Sequence, residues 1–481
     1  MKAINKRWSD GEFEQLRKEV LSKWPSGKEV NLDEAVRYHK GLPKQMNYPF
    51  KMAESKKKGI SYLRTDSGVA TLEEEIELFK CLQDVGTADF LGTIVDSFTR
   101  TLQYEKAEQG LKESLKTGKS MLNGFPVVAH GVKNMRKITE AVKLPMELRA
   151  PTADIRLALE IALASGHTAS NAGSLPKFWH YTKDMPLEFC QQYQQYLYRL
   201  LAAYEERGVP MLAEISGGFS TASPFSIPLA GTVIDALMAA EQGVKNVIIG
   251  LYGMQGNLVQ DVAACITFPK LGEEYLRKFG YKDVNVYCSA SAWSGMFPEH
   301  IGEAYSIIAL TALIGVIAKA NIIHFKTISE RVTIPSKEDN ANSIRAGRRV
   351  YDIMKVQNLQ LDQKKLNLEI KMMEMEAKAM VDKVIELGNG DVMTGTVKAV
   401  ELGMMDQVFA TTKFAAGKVI AIRDAEGAVR YLDHGNLPFN KEIIEFNREK
   451  VAEREKYSGR KNDYKTVVDD IYSMSKGPLV V

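Results

Sequence analysis

Short apolar, β-branched runs along this chain end repeatedly in charge, and those ends carry the residues able to do chemistry. The run at 59–63 stops at Arg64-Thr65-Asp66. Others lead to Arg100 in "DSFTR", Asn123 in "MLNGF", Arg149 in "MELRA", the polar stretch "GHTASNAGSLPKFWHYTK" at 166–183, and Lys326 with Glu330 in "HFKTISE". Singly, each is ordinary as a solvated loop charge. As a set they are a constellation. Arg100 and Arg149, from different tips, offer planar guanidinium groups that bind a carboxylate or phosphate through two parallel hydrogen bonds. Lys326 and Glu330, four residues apart, form either a routine helix ion pair or a donor and acceptor for the vicinal hydroxyls of a sugar.

Charged tips of this kind need a sheet to hold them. Strands are predicted at Ile60–Thr65, Ala88–Val95, Gly124–Ala129, Met146–Arg149, Pro210–Ile215, Val244–Gly250, Asp283–Cys288 and Ile322–Lys326, with the segment around 165–171 as a further strand end outside that count. Amphipathic stretches such as "LEEEIELFKCLQDVG" and "GTVIDALMAAEQG" lie between them; Thr71 and Glu74 have the spacing of a capping box before the first. Near-continuous apolar strands alternating with helices mean a parallel sheet covered by helices. About eight such units predict a (β/α)₈ TIM barrel, whose C-terminal strand ends open into the active-site mouth. A doubly wound sheet competes, but no GxGxxG follows the first strand. The barrel and its flanking helices are expected over 59–387, after an N-terminal helical extension at 1–58. Residues 342–387 are predicted helical, with the methionines at 372–380 as packing. A small C-terminal α+β domain is expected over 388–481, with a hairpin at 418–435 turning at 424–427 and a charged helix at 440–457.

Bulk properties remove several function classes. Lys and Arg number 63 against 60 Asp and Glu, a formal net charge of +3. No basic tract with interleaved aromatics stands out, so nucleic acid is not expected as a partner. Cys81, Cys190, Cys265 and Cys288 are widely spaced and form no CxxC pair, which fits a reducing cytosol. The first twenty residues carry no apolar signal region. The most apolar segment, 305–325, is broken at Lys319-Ala320-Asn321, short of the roughly 20 residues a membrane helix needs. A soluble cytoplasmic protein is expected. "TGKS" at 117–120 has Glu113 where a phosphate-binding loop needs glycine, and it ends a helical stretch. The histidines show no zinc-site spacing, and no GxSxG elbow is present.

Several longer strings are distinctive: "WPSGKEVNLDEAV", "KKKGI", "MLNGFP", "AAEQGVKN", "GNLVQD", "FKT" with "IPSKE", "GTVKAVELGMMD" and "VRYLDHGNLPF". Through them the chain resembles, over nearly its whole length, the catalytic ε subunits of glutamate mutase, the coenzyme-B12-dependent methylaspartate mutases. The resemblance implies a barrel with adenosylcobalamin on its C-terminal mouth. A separate small σ subunit carrying a DxHxxG motif would hold the cofactor from the other side, in a heterotetramer built on a homodimer. This chain lacks that motif; Asp433-His434 has the wrong spacing. The chemistry implied is radical: cobalt–carbon homolysis, hydrogen abstraction and carbon-skeleton rearrangement of an amino acid.

Carried over by position, the family's cofactor contacts fall on Gly68, Asn123, His180, Phe297, Lys326, Glu330 and Ile334. Gly68 would admit close approach of a planar ring, and Glu330 would accept from ribose hydroxyls beside Lys326. His180 stands where the family has proline. Of the substrate contacts, Arg100, Arg149 and Tyr181 match. Asp66 replaces an arginine, Asn171 a glutamate and Lys177 a tyrosine. Three cations against one anion keep the family's charge balance in a new layout. The expectation is a carboxylate on Arg100 and Arg149 and an ammonium on Asp66, with Lys177 meeting a second anion or Asp66 itself. Arg64 shares the strand face of Asp66. A substrate other than glutamate then becomes at least as reasonable as glutamate. Two other classes stay open: a barrel using Lys326 as a Schiff-base lysine, and a non-catalytic binder that kept the scaffold.

Overall fold

The computed structural model describes residues 3–216, 221–250, 253–331 and 333–480; the side chains of Ser216, Glu330 and Arg331 lie outside that description. The apolar runs form nine parallel strands: β1 Tyr62–Ser67, β2 Leu91–Ile94, β3 Met146–Arg149, β4 Ala169–Ala172, β5 Leu212–Ser216, β6 Asn246–Gly250, β7 Asn285–Tyr287, β8 Ser289–Ser291 and β9 Ile322–Phe325. Their order in the sheet is β7-β6-β5-β4-β3-β2-β1-β9-β8. β7 pairs only with β6, and β8 only with β9. Between them the Cys288 carbonyl accepts from the amides of Asn321 and Ile322 at 3.0 and 3.3 Å. The two short strands are therefore halves of one stave kinked at Cys288. Eight staves close the ring, which is the (β/α)₈ barrel the sequence predicts. Gly250 lets β6 and β8 approach: a Cβ there would stand 2.5 Å from the Ser289 amide nitrogen.

Two predicted elements change. Residues 124–129 do not form a strand. Phe125 makes one parallel bridge to Val95, and Val127 already begins a helix, Val127–Ala141. Val128, Val132, Met135 and Ile138 are all buried on that helix, so its helical period outweighs the β-branched pair at its start. The vacated stave is β4, four small and polar residues with little intrinsic strand preference. The helix predicted over 342–387 is two, Lys337–Met354 and Gln363–Leu387. The second restarts where Asp362 accepts from the amides of Lys364 and Lys365. Met372, Met373 and Met380 are buried on it, consistent with packing. The hairpin is present as β10 Ile420–Arg423 and β11 Val429–Asp433, turning at Gly427. A helix Lys441–Ser458 follows. "TGKS" ends a helix, with Gly118 as its left-handed cap. The apolar segment at 305–325 is most of the helix Ile301–Ile317, a turn and β9, and among the described residues no helix is long and apolar enough to cross a membrane.

Alternation along each strand sends every second side chain into the lumen. At the bottom those side chains are apolar: Tyr62, Phe90, Ala169, Leu212, Ile248, Tyr287 and Ile322 cluster with Tyr48 and Met52. Tyr48 and Met52 come from the helix Tyr48–Lys58, which precedes β1 and closes the underside. The Tyr48 ring stacks on Phe90 with centroids 4.0 Å apart. One step up, where a barrel of this class usually stacks branched apolar residues, the layer is ionic. Arg64 from β1 meets Glu147 from β3 and Glu214 from β5. β1 and β5 are not neighbours in the sheet, so these contacts cross the lumen.

Gly92 on β2 makes room for this layer, because a Cβ there would collide with Asp66 Oδ1 and press on Arg149 Cγ. Asp66 cannot swing aside while two arginines and a histidine hold it. Gly92→Ala is expected to destabilise the protein by about 1–3 kcal/mol in urea unfolding. Gly302→Ala, in a helix with open space around it, should be neutral or slightly stabilising. Equal midpoints for the two variants would show that the layer is loose.

Candidate functional site

β1 and β3 bring Asp66 and Arg149 to the top of the lumen. Asp66 Oδ2 receives Arg149 Nε at 2.9 Å and His324 Nε2 at 3.0 Å, and Asp66 Oδ1 lies 3.1 Å from Arg64 Nε. Arg149 Nη1 reaches Glu147 Oε1 and Glu214 Oε1, both at 3.0 Å. Arg64 binds Glu214 through both terminal nitrogens at 2.8 and 3.2 Å, donates to the Tyr48 hydroxyl at 2.7 Å and touches Glu147. Two guanidinium groups thus sit among three carboxylates, all buried.

Two cations cannot neutralise three anions, and the surplus is taken up by a proton. Burial, reinforced by Glu214 and Asp66, pushes the Glu147 carboxyl up to about 8 despite its arginine neighbours. Burial opposes ionisation of Glu214 as well, but Arg149 and Arg64 overcome it and hold the group down to about 2. Asp66 follows the same logic and lies well below the usual carboxylate range. Burial lowers His324 although Asp66 favours its charged form, so its Nε2–H donates to Asp66 from a neutral ring.

Arg100 is placed differently. It ends the short helix Ser97–Arg100, whose amides at Phe98 and Thr99 are capped by Asp96. Burial lowers its pKa, its Nε makes no hydrogen bond, and it enters no ion pair among the described residues. Asn123, exposed, accepts from the Ser97 amide at 2.9 Å and fixes the start of that helix.

A second platform is the helix Ser174–Tyr181 after β4. Asp235 accepts from the Ser174 amide at its N-terminus at 2.9 Å, and Gln194 accepts from Gly173. Lys177 points back into this cap: Nζ donates to the Asn171 carbonyl at 3.2 Å and to Gln194 Oε1 at 3.3 Å, and burial lowers it to about 7. It meets neither Asp66 nor an open mouth. Asn171 spends its side-chain oxygen on the Ala150 amide at 2.8 Å. His180 and Tyr181 end the helix; burial takes His180 down to about 4, and Tyr181 is 37% exposed. From the C-terminal region, Thr411 donates to the Trp179 carbonyl through its amide and its hydroxyl at 2.7 and 2.9 Å, clamping this helix.

The remaining predicted positions lie around the mouth. A Cβ on Gly68 would collide with the Ile94 carbonyl and stand 3.0 Å from the Phe125 amide nitrogen, so backbone packing alone demands glycine there. Phe297 is buried, Lys326 half-buried just beyond β9, and Ile334 exposed. Glu330 sits in the turn Ile328–Arg331, with its side chain outside the described residues. Sequence reasoning missed Glu147, Glu214, His324 and Tyr48. The signal for the first three was there: lone charged residues inside apolar strands ("MELRA", "LAEIS", "IIHF"), with Glu147 two residues from Arg149 and so on its face.

Residues 42–481 match the methylaspartate mutase E chain family. The chain is 41% identical, over its full length and 99% of the relative's, to the glutamate mutase epsilon subunit of Desulfitobacterium hafniense. The corresponding subunit of Treponema denticola is 42% identical over the same shares. That of Haloarcula marismortui is 35% identical over 99% of this chain and 96% of its own.

The proton on Glu147 has a consequence for stability. A carboxyl that stays neutral in the folded protein but ionises in the usual range once unfolded favours the folded state at low pH. That contribution is complete below the ordinary carboxylate range and is lost progressively as pH rises from about 4.5 to about 8. This contribution should therefore make the thermal unfolding midpoint fall between about pH 4.5 and about pH 8 and level off above, and Glu147→Gln should flatten the fall. An unchanged slope in the variant would place the proton elsewhere.

Proposed function

The chain belongs to the methylaspartate mutase E chain family, and from that premise we propose that it is the barrel subunit of an adenosylcobalamin-dependent carbon-skeleton mutase acting on an amino acid. The observation that carries this reading beyond family membership is Arg100. A largely buried guanidinium with no carboxylate partner among the described residues, at the end of the barrel where substrates bind, is suited to a substrate carboxylate.

The mouth suits a large flat cofactor. Met121, Met296, Ile301 and Ile334 are exposed on segments that follow β2, β8 and β9, an apolar rim of the kind that marks a surface to be covered. Gly68, Asn123, His180, Phe297, Lys326, Glu330 and Ile334 would hold adenosylcobalamin there. When bound, it supplies the cobalt–carbon cleavage that starts the rearrangement. The chain has no DxHxxG string. The missing motif is in keeping with a separate small subunit that would hold the cofactor from its other side, and we propose that the two form a cytoplasmic heterotetramer. This chain's own residues bind, orient and enclose. Arg100 takes the carboxylate, and Tyr181 borders it from the clamped helix. The floor of paired charges stays fixed while the covered mouth keeps water out.

The test is reconstitution with adenosylcobalamin and a small DxHxxG subunit. Expected are an amino-acid-dependent paramagnetic signal and a rearranged carbon skeleton by nuclear magnetic resonance. Arg100→Met should lower kcat/KM by roughly 10–100-fold, the loss of one charge-assisted contact. No signal with any amino acid, together with borohydride trapping of a carbonyl compound on Lys326, would replace this reading with Schiff-base chemistry.

A further inference from the structure

The charges of the lumen cancel before any ligand arrives. Arg64 and Arg149 bring two cations, Asp66 and Glu214 two anions, and Glu147 keeps its proton near neutral pH. Arg149 has its Nε on Asp66 and its Nη1 shared between Glu147 and Glu214. It is a structural member of the floor, already supplied with counter-charge. A carboxylate entering here would compete with three buried carboxylates for Arg149. It would also lie against Asp66, an anion already held by Arg149, Arg64 and His324. The nearby lysines do not relieve this. Lys177 is turned into the cap of its own helix, and Lys326 is not without a partner.

Asp66 is thus the anion at the top of a neutral floor, where an entering carboxylate meets repulsion and a group that brings hydrogen atoms and positive charge does not. Arg100 is the opposite: a cation in no ion pair among the described residues, with Asp96 favouring its charge only through space. Together they match a ligand with one anionic and one cationic end, and provide no place for a second anion.

Building on the mutase reading above, we propose that the substrate is a monocarboxylic amino acid, bound with its one carboxylate on Arg100 and an ammonium on Asp66, and that Asp66 excludes dicarboxylic amino acids. The proton on Glu147 supports this, because it can leave when an ammonium arrives and so keep the floor neutral.

Three five-carbon probes separate the cases: L-glutamate, L-norvaline and L-ornithine share a backbone and end in carboxylate, methyl and ammonium. Their affinities for the reconstituted complex are measured by calorimetry, with the paramagnetic signal recorded on the same samples. Norvaline, ornithine or both should bind at least tenfold more tightly than glutamate. Asp66→Asn should narrow that ratio at least tenfold, chiefly by improving glutamate. If the variant does not fold, the ranking in the unaltered protein decides alone. Glutamate binding as tightly as the other two, or no binding by any of the three, overturns the proposal. The expected ranking without a paramagnetic signal would sink the mutase reading and leave the pocket's preference standing. A signal with glutamate as the tightest ligand would do the reverse.

Discussion

Everything at the open end of this barrel rests on a counting constraint: two guanidinium groups and three carboxylates share one dry layer. Isolated buried charges cost several kcal/mol each, and removing one partner from such a layer costs more than the pair contributes. Altering one member therefore disturbs the balance of the others. Arg64 is held by Glu147, Glu214 and the Tyr48 hydroxyl below and by Asp66 above, so it joins the apolar floor to the polar mouth. The requirement for glycine at position 92, the neutral His324 and the proton on Glu147 all follow from that layer.

The mouth is assembled from two kinds of support. Strand ends place Asp66 and Arg149 rigidly, because both neighbouring staves and the lumen constrain them. Arg100, Lys177, His180 and Tyr181 instead ride on short helices fixed by side-chain caps: Asp96 and Asn123 for one, Asp235 and Gln194 for the other. The Thr411 clamp on Trp179 makes the C-terminal region a support for the second helix. These groups thus sit on capped and clamped helices around an ionic centre carried by the strands.

The barrel was legible in the sequence because parallel strands buried on both faces are nearly continuous apolar runs, and "VIIG" or "IIHF" stand out as such. β4 was legible only as a strand end around 165–171 left outside the count, since "ASNA" takes its place through hydrogen bonds to β3 and β5 and has no apolar pattern of its own. Its neighbour in error, the run at 124–129, has strand-like composition over three residues and helical periodicity over the next twelve. The charged tips were legible as positions but not as partnerships. Nothing in the local sequence says that Arg149 faces Asp66 and Glu214, because those contacts join residues 83 and 65 positions apart across the lumen. Lys177 was visible as a cation, yet its direction depends on Gln194, seventeen residues away on another helix.

Tyr48 gives the N-terminal segment a role in the order of assembly. Its amide donates to Thr168 beside β4, its ring packs on Phe90 beside β2, and its hydroxyl meets Arg64 on β1. Those partners lie 16 to 120 residues further along the chain. A growing chain emits Tyr48 long before β4 and β5 exist, so the base plate waits, unseated, until most of the ring has been made. Contacts of such sequence separation are slow to form and pay their loop-closure entropy together. The barrel's bottom, first in sequence, is on this account among the last parts to settle, and sealing it locks the ionic layer above.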